Sequence, residues 1–550
     1  MKNIKHIVYL MLENRSFDNV LGWLYSNGQK PSRFLPVGTN PVFQGLTPNM
    51  YNPDKNNVKH YVTQIPDGVL NIPTADPNEG YSNVNNQLYG STANPPVNQP
   101  AAMMGFYRDY ASNNSDTAQI MSSYTPNAKS LFMLNWLAKT FAVSDAYYAS
   151  VPTQTNCNRA FAATGNSIGM LGGLSTGMVD NHWDGYYPWD PYEFTQPTIW
   201  NVLQNYGYNT PDDWTIYYSQ LWPGHSLGDY CFTQDLFWPN LSGLSNHFSD
   251  ISNFFKQAAS GTLPAFSFLE PAWFEEEWGI GANGNDYHPP ADLNAGETFV
   301  FKIFNALLQS PAWANTLFII NFDEHGGTFD HMGPTWNAAA PWAKPADGTS
   351  PPQTTEYGFQ FNRFGVRVPL ILVSPYTKGG TVFRSPTNIP FDHASVIATI
   401  LKHFNVPKSG WGLGSRVANA PTFDYVLNQS KASLDIPELN FQLNLSTVRK
   451  QYAPNDLQLM LIHRAFGRML KQTGYSKKKF TVLYQKHFKG IKTLAELKKA
   501  ANKIMAELRK TKPLVTGKAT PPKAVVKPKK RSATKAVAKK RHAFKPARKR

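Results

Sequence analysis

Cysteine is almost missing from this chain. Only Cys157 and Cys231 occur in 550 residues, which excludes a disulfide framework and a cysteine-rich zinc site and leaves room for one bridge at most. Long apolar runs are missing too. No segment approaches the roughly 18 apolar residues that a membrane-spanning helix needs. The run Ile7–Leu12 starts almost at Met1, is too short for the core of a signal peptide and leads directly into Glu13. The expectation is a soluble protein without a classical leader, cytoplasmic or exported by another route, and no more than peripheral at a membrane. Wholesale disorder is excluded by a content of 41% hydrophobic and 13% aromatic residues.

Acidic residues are scarce only at one end. Residues 1–440 carry 22 Lys and Arg against 34 Asp and Glu, residues 441–500 carry 13 against 2, and residues 501–550 carry 18 against 1. The net charge of +16 therefore belongs to a C-terminal appendage on an acidic body, and any attraction to nucleic acid or anionic lipid is to be sought there.

Several short apolar runs stop abruptly at polar residues: Ile7–Leu12 before Glu13-Asn14, Phe266–Leu269 before Glu270, Leu317–Phe322 before Asp323-Glu324, and Val368–Val373 before Ser374-Pro375. Runs with so little alternation suit strands buried on both faces of a parallel sheet. Helical spacing over Ala295–Gln309 and Ser395–Phe404 supplies covering layers, so the pattern predicts a doubly wound α/β domain over residues 1–440. Residues 40–125, rich in Asn, Pro, Gly and Tyr and without periodicity, read as a loop-rich insertion near the active-site rim. Residues 441–511 form a basic helical region, with amphipathic helices expected over Leu457–Leu470 and Ile491–Leu508. Residues 512–550, mostly Lys, Arg, Ala, Pro and Val, cannot bury enough surface to fold alone and read as a disordered tail.

Ligands of open α/β sheets bind beyond the carboxyl ends of the strands, and two runs end there in acidic residues. A phosphoester hydrolase needs oxygen ligands for a hard cation, a hydroxyl activated beside it, and an acid for the departing alkoxide. Glu13-Asn14 and Asp323-Glu324-His325-Gly326-Gly327 offer the ligands, and the Gly-Gly pair lets the backbone turn sharply. Ser150–Arg159 offers hydroxyls together with an arginine for phosphate. Asn285-Asp286-Tyr287-His288-Pro289-Pro290 and Asp330-His331 offer histidines. Each has a plainer explanation: polar strand ends are solvated, Thr- and Asn-rich turns are common, and Asp–His pairs often only tether loops.

Taken together, these segments resemble the phosphoesterase family of bacterial phospholipases C, plant non-specific phospholipases C and related acid phosphatases. The matching residues are Glu13 through Asp18, Ser150-Val-Pro through Asn158-Arg159, His288-Pro-Pro, Asp323 through His331, Arg367-Val-Pro through Ser374-Pro375, and Phe391 through Ser395, in order from about residue 4 to 405. The resemblance implies an alkaline-phosphatase-like three-layer α/β/α sandwich around a mostly parallel sheet, and a covalent phosphoryl-enzyme. It implies Glu13, Asn14, Thr155, Asp323 and Glu324 as ligands of a divalent metal (calcium, magnesium, manganese or zinc). Thr155 would be the nucleophile, with Thr153 as fallback. His288 and His331 would serve as proton donors or phosphate contacts, and Asn158, Arg159 and His325 as substrate contacts. His393 and His225 are weaker candidates. Two departures stand out: Cys157 replaces the family's usual Pro in the nucleophile motif, and the histidine that many relatives carry upstream of the segment matched by Met103-Met104-Gly105-Phe106 is absent, since none lies between His60 and His182.

The reading is a phospholipase C acting on the glycerol-side ester of phospholipids. Its alternatives are an acid phosphatase of small soluble monoesters and an inactive hydrolase body whose basic tail binds anionic membranes or nucleic acid. Trp273-Phe274 or Tyr186-Tyr187-Pro188-Trp189 would give a lipase its apolar rim. Near anionic lipid each basic residue contributes on the order of 1 kcal/mol. Deleting residues 510–550 is therefore expected to weaken binding to anionic vesicles while sparing hydrolysis of a soluble ester. Equal sedimentation with vesicles would dismiss the tail as an anchor.

Overall fold

The apolar runs become the middle of a nine-stranded sheet. The computed structural model describes residues 1–127, 130–182, 194–219, 230–274, 284–439 and, with scattered gaps after 472, 454–504. In chain order the strands of this sheet are β1 (His6–Leu12), β2 (Arg33–Leu35), β3 (Ala142–Ser144), β4 (Trp214–Tyr218), β5 (Phe248–Asp250), β6 (Phe266–Leu269), β7 (Thr316–Phe322), β8 (Leu370–Val373) and β9 (Thr381–Phe383). Across the sheet they lie in the order β5-β4-β6-β1-β7-β8-β3-β9-β2. Every neighbouring pair is parallel except those of β8, which runs against both β7 and β3. β7 is buried at every position and β1 at all but His6, as mainly apolar strands covered on both faces require.

Consecutive residues of a strand face opposite sides, and β7 demonstrates the two covering layers. The Asn321 amide donates to the Tyr147 hydroxyl at 2.9 Å and lies 3.2 Å from Nδ1 of His393, the first residue of a helix over His403. The Phe322 ring, on the other side, meets Tyr287 edge-on at 5.5 Å. Tyr287 in turn fills the space a Cβ on Gly296 would need, within the helix Leu293–Leu308. In chain order, the helices used below are α1 (Tyr81–Tyr89), α2 (Phe132–Thr140), α3 (Thr155–Thr164), α4 (Ile251–Ser260), α5 (Leu293–Leu308), α6 (His393–His403) and α7 (Asp456–Gln472). α5 packs with α2 and α4 in one layer, and α6 packs with α3 in the other. The architecture is the expected α/β sandwich around a mostly parallel sheet.

Residues of the 40–125 stretch share an apolar cluster: Leu46, Val62, Val84, Leu88, Met103 and Phe106 pack together with Phe329 and Val366 of the main body. The helix expected over Leu457–Leu470 is α7, and it belongs to the same compact unit as the sheet. Leu457, Met460, Leu461, Ala465 and Phe466 are buried. Arg464 forms a buried ion pair with Asp235, Nε to Oδ2 2.6 Å, and Gln458 Nε2 donates to the Trp273 carbonyl at 3.0 Å. Of the helix expected over Ile491–Leu508, residues 496, 497, 499, 500 and 502–504 are helical, while its end from 505 and the 512–550 tail lie outside the described residues.

A second knot of charge fastens the loop after β1. Arg367 NH2 lies 2.7 Å from Asp18 Oδ1 and 3.2 Å from Asp330 Oδ1, all three residues being buried. His331 Nδ1 meets Asp18 Oδ2 at 2.5 Å, and the arginine covers the Phe17 ring at 4.3 Å. Burial works to raise the Asp18 carboxyl, but Arg367 and His331 hold it below its ordinary value. Burial pushes Asp330 up to about 6 against the pull of Arg367. Replacing Arg367 with Met leaves Asp330 buried without its cation and Asp18 with His331 alone, at a cost of about 3–5 kcal/mol near neutral pH. Carboxylates without their cation take up protons at higher pH than those that keep it, so acidification should favour the variant relative to wild type. Denaturant unfolding should show the gap already narrowing as the pH falls toward about 6, the wild-type value of Asp330, because the variant's carboxyl protonates first, and a narrower gap still below it. A pH-independent gap would mean that the arginine acts through packing alone.

Candidate active site

Parallel pairing of β1 with β7 sets Leu12 opposite Phe322, so the residues after each strand emerge side by side. Glu13 and Asn14 follow one strand and Asp323 and Glu324 the other, and all four are wholly buried. The Asn14 backbone N–H donates to Asp323 Oδ1 at 3.1 Å, and the Glu324 N–H donates to the same oxygen at 2.7 Å. Asn14 adopts a left-handed φ of 53°, a region asparagine tolerates better than most residues. Gly326, at φ 57°, turns so close that a Cβ there would sit 2.2 Å from the Asn14 carbonyl oxygen. The Gly-Gly pair thus brings the two strand-end loops together.

Thr155 comes to this point from the other layer. It is the first residue of α3, where the helix dipole presents its positive end, and its hydroxyl donates toward Glu13 Oε2 at 3.2 Å and Asn14 Oδ1 at 3.4 Å. Thr153 points elsewhere, its hydroxyl bonded to the Val179 carbonyl. Arg159, one turn along α3, pairs with Glu13 (Nε to Oε1 2.7 Å) and stands 3.7 Å from Asp323 Oδ2. Its guanidinium lies over the Trp273 ring at 5.2 Å. Trp273 is consequently buried and cannot form an exposed lipid rim, while Tyr186–Trp189 lie outside the described residues.

The electrostatics of the cluster are those of crowded acids. Burial drives Glu13 and Glu324 well above the usual carboxylate range, Asp323 adding to both and Arg159 opposing the shift at Glu13. Burial likewise lifts Asp286 to about 7. Two oxygens of the cluster, Asp323 Oδ2 and Glu324 Oε1, are buried without a hydrogen-bond partner. Carboxylate and amide oxygens at adjoining strand ends, with lone pairs unspent, are the donor set of a hard divalent cation, and the residues present fit one.

Of the histidines, His288 reaches the cluster, its Nε2 lying 2.8 Å from the Asn14 amide nitrogen. Its Nδ1 is 2.7 Å from the Pro289 carbonyl, which can only accept, so Nδ1 carries the proton and Nε2 presents a lone pair. His325 touches the edge of the cluster, with Nδ1 3.2 Å from Glu324 Oε2 and Nε2 donating to Gln87 Oε1 at 2.7 Å. His393 supports it from beneath, donating from Nε2 to the Asp323 carbonyl at 2.6 Å. His331 belongs to the Arg367 knot described above. Asn158 spends its amide on Val151, Thr153 and Gln154, closing the turn that launches α3. His225 lies outside the described residues.

Sequence reasoning missed Asp76 and Glu79. Glu79 Oε2 accepts from Asn14 Nδ2 at 2.5 Å, and Asp76 Oδ1 lies 3.6 Å from His288 Nδ1. Both precede α1 inside the loop-rich stretch, where no periodicity marks a functional carboxylate. The signal that could have found them is Asp76-Pro-Asn-Glu79 in the interval from which histidine is missing.

The chain is similar to known proteins over most of its length. A model of the Phosphoesterase family matches residues 4–407. Non-specific phospholipase C6 of Arabidopsis thaliana is 33% identical over 77% of this chain and 72% of its own length, and non-specific phospholipase C5 of the same plant is 30% identical over 84% and 82%. Phospholipase C B of Mycobacterium tuberculosis is 26% identical over 80% and 82%. A solved protein of the alkaline phosphatase superfamily from Vibrio parahaemolyticus superposes at a TM-score of 0.29 with 12% identity, over 62% of this chain and 82% of that one, too loosely to bear on activity.

If Thr155 is the attacking hydroxyl, Thr155→Ala should lower turnover about a thousandfold or more with its circular dichroism unchanged, while Thr153→Val retains activity. The reverse pattern would move the nucleophile to Thr153.

Proposed function

The chain belongs to the Phosphoesterase family and is a phosphoric ester hydrolase, and we propose that it is a metal-dependent phospholipase C that works through a phosphothreonine. The observation that carries this reading is the Thr155 hydroxyl at the start of α3, aimed at Glu13 and Asn14. Glu13, Asn14, Thr155, Asp323 and Glu324 would hold the ion. A calcium, magnesium, manganese or zinc ion bound there would supply positive charge to the phosphoryl oxygens and favour the ionised form of the Thr155 hydroxyl.

The remaining chemistry falls to the chain itself. Thr155 Oγ1 attacks phosphorus, its proton leaving on the side where it already donates to Glu13. The bond from phosphorus to the glycerol oxygen breaks, and that oxygen takes up a proton and departs as diacylglycerol. Water then attacks the phosphothreonine, giving the phosphorylated head group and restoring the hydroxyl. The N-terminus of α3 favours negative charge at the transferred group throughout. The Asn158 bonds hold the turn, and Arg159 keeps Glu13 from swinging away. The lone pair on His288 Nε2 suits a ligand or phosphate contact better than a proton donor.

Phosphatidylcholine vesicles should yield diacylglycerol and phosphocholine, at a rate well above hydrolysis of p-nitrophenyl phosphate. Chelation should abolish both activities, and Asp323→Asn should weaken metal retention roughly 10- to 100-fold. Undiminished lipid hydrolysis after exhaustive chelation would overturn the metal-dependent reading, and a strong preference for the monoester would make the enzyme a phosphatase.

A further inference from the structure

Beside the Thr155 centre, one ligand atom from each of Asp76, Glu79 and His288 lies within 4.8 Å of the others. None of the three is needed for the ligand set assigned above. A single donor group, the Asn14 amide nitrogen, lies 2.5 Å from Glu79 Oε2 and 2.8 Å from His288 Nε2. Both acceptors therefore turn toward one point, and the imidazole arrives with Nδ1 committed to the Pro289 carbonyl. A histidine fixed through one nitrogen, with a lone pair on the other, is the arrangement of metal-ligating imidazoles; here that lone pair accepts from the Asn14 amide.

Glu324 adds the independent observation. It is wholly buried, its carboxyl lies against that of Glu79, and its Oε1 has no hydrogen-bond partner. Asp76 Oδ1 is likewise unpartnered, while its other oxygen accepts the backbone N–H of Asp456, the first residue of α7, at 3.2 Å. Carboxyl oxygens and an imidazole nitrogen gathered this closely, with buried oxygens left unspent, suit a cation held between them.

We propose that Asp76, Glu79 and His288, with Glu324 shared, form a second divalent-cation site next to the first, making the centre a two-metal one. The imidazole favours zinc over calcium or magnesium, and manganese(II) serves as the paramagnetic probe of the carboxylate-rich set. Two cations sharing a carboxylate place positive charge on both sides of a transferring phosphoryl group. The proposal rests on the centre proposed above for its neighbour, and the two can fail separately.

Full-length protein stripped with chelator and dialysed against manganese(II) tests it by counting ions per chain, with low-temperature electron paramagnetic resonance to detect coupling between them. Wild type should retain two ions and show a coupled spectrum. Glu79→Gln should retain one, uncoupled, and Glu79→His, which restores a ligand, should retain two. Asp323→Asn should lose the neighbouring ion and keep the second. One ion in wild type, unchanged in Glu79→Gln and lost in Asp323→Asn, would overturn the second site and leave the first standing. No ion in wild type would overturn both. Loss of both ions in a folded Glu79→Gln protein would overturn a separate second site.

Discussion

Like charges brought out of water repel one another, and this molecule gathers six carboxyl groups near the ends of β1 and β7: Glu13, Glu79, Asp286, Asp323 and Glu324, all buried, and the partly exposed Asp76. Burial raises Glu13, Asp76, Glu79, Asp286 and Glu324 above their ordinary range. Much of the surrounding structure is a response to that repulsion. Arg159 lies against Glu13, backbone N–H groups turn toward one oxygen of Asp323, and α3 directs its positive end at the same place. Oxygens are nevertheless left over, and a site that concentrates unspent lone pairs is built to receive cations and the phosphate they attract. The Arg367 knot makes the contrast. There two carboxylates are answered by an arginine and a histidine within the chain, and the result is a fastening.

Much of this was legible in the sequence, because the rules involved are local. A strand buried on both faces is mainly apolar, so β1, β6, β7 and β8 announce themselves as apolar runs broken only by residues such as Ser267 and Asn321, and the acidic or Ser-Pro residues that follow mark their ends. Glu13 and Asp323 could therefore be placed at strand ends. Their adjacency could not be read, since it depends on β1 pairing with a strand some 300 residues away. The helices over Leu293–Leu308 and His393–His403 were visible for the same reason, as 3.6-residue periods.

What escaped was set by loops and by choices among identical residue types. Asp76 and Glu79 lie in a stretch without period, and tertiary contact alone distinguishes them from other loop acids. Asp330-His331 had been read both as chemistry and as a tether, and its contacts with Asp18 and Arg367 are those of a tether. Thr153 and Thr155 are chemically equivalent on paper. The start of α3 separates them, for one hydroxyl lies before the helix and is spent on a carbonyl while the other opens it. The contact of α7 with Asp76 was hidden in a segment whose composition suggested a basic appendage.

The central position of β1 has a consequence for biosynthesis. The first strand made is the middle of the sheet, and its neighbours, β6 and β7, begin at Phe266 and Thr316. At roughly 5–20 residues per second, a ribosome leaves this apolar segment without partners for some tens of seconds. During that interval its exposed edges are open to other nascent chains. An apolar strand made this far ahead of its partners must be kept from other chains until they arrive.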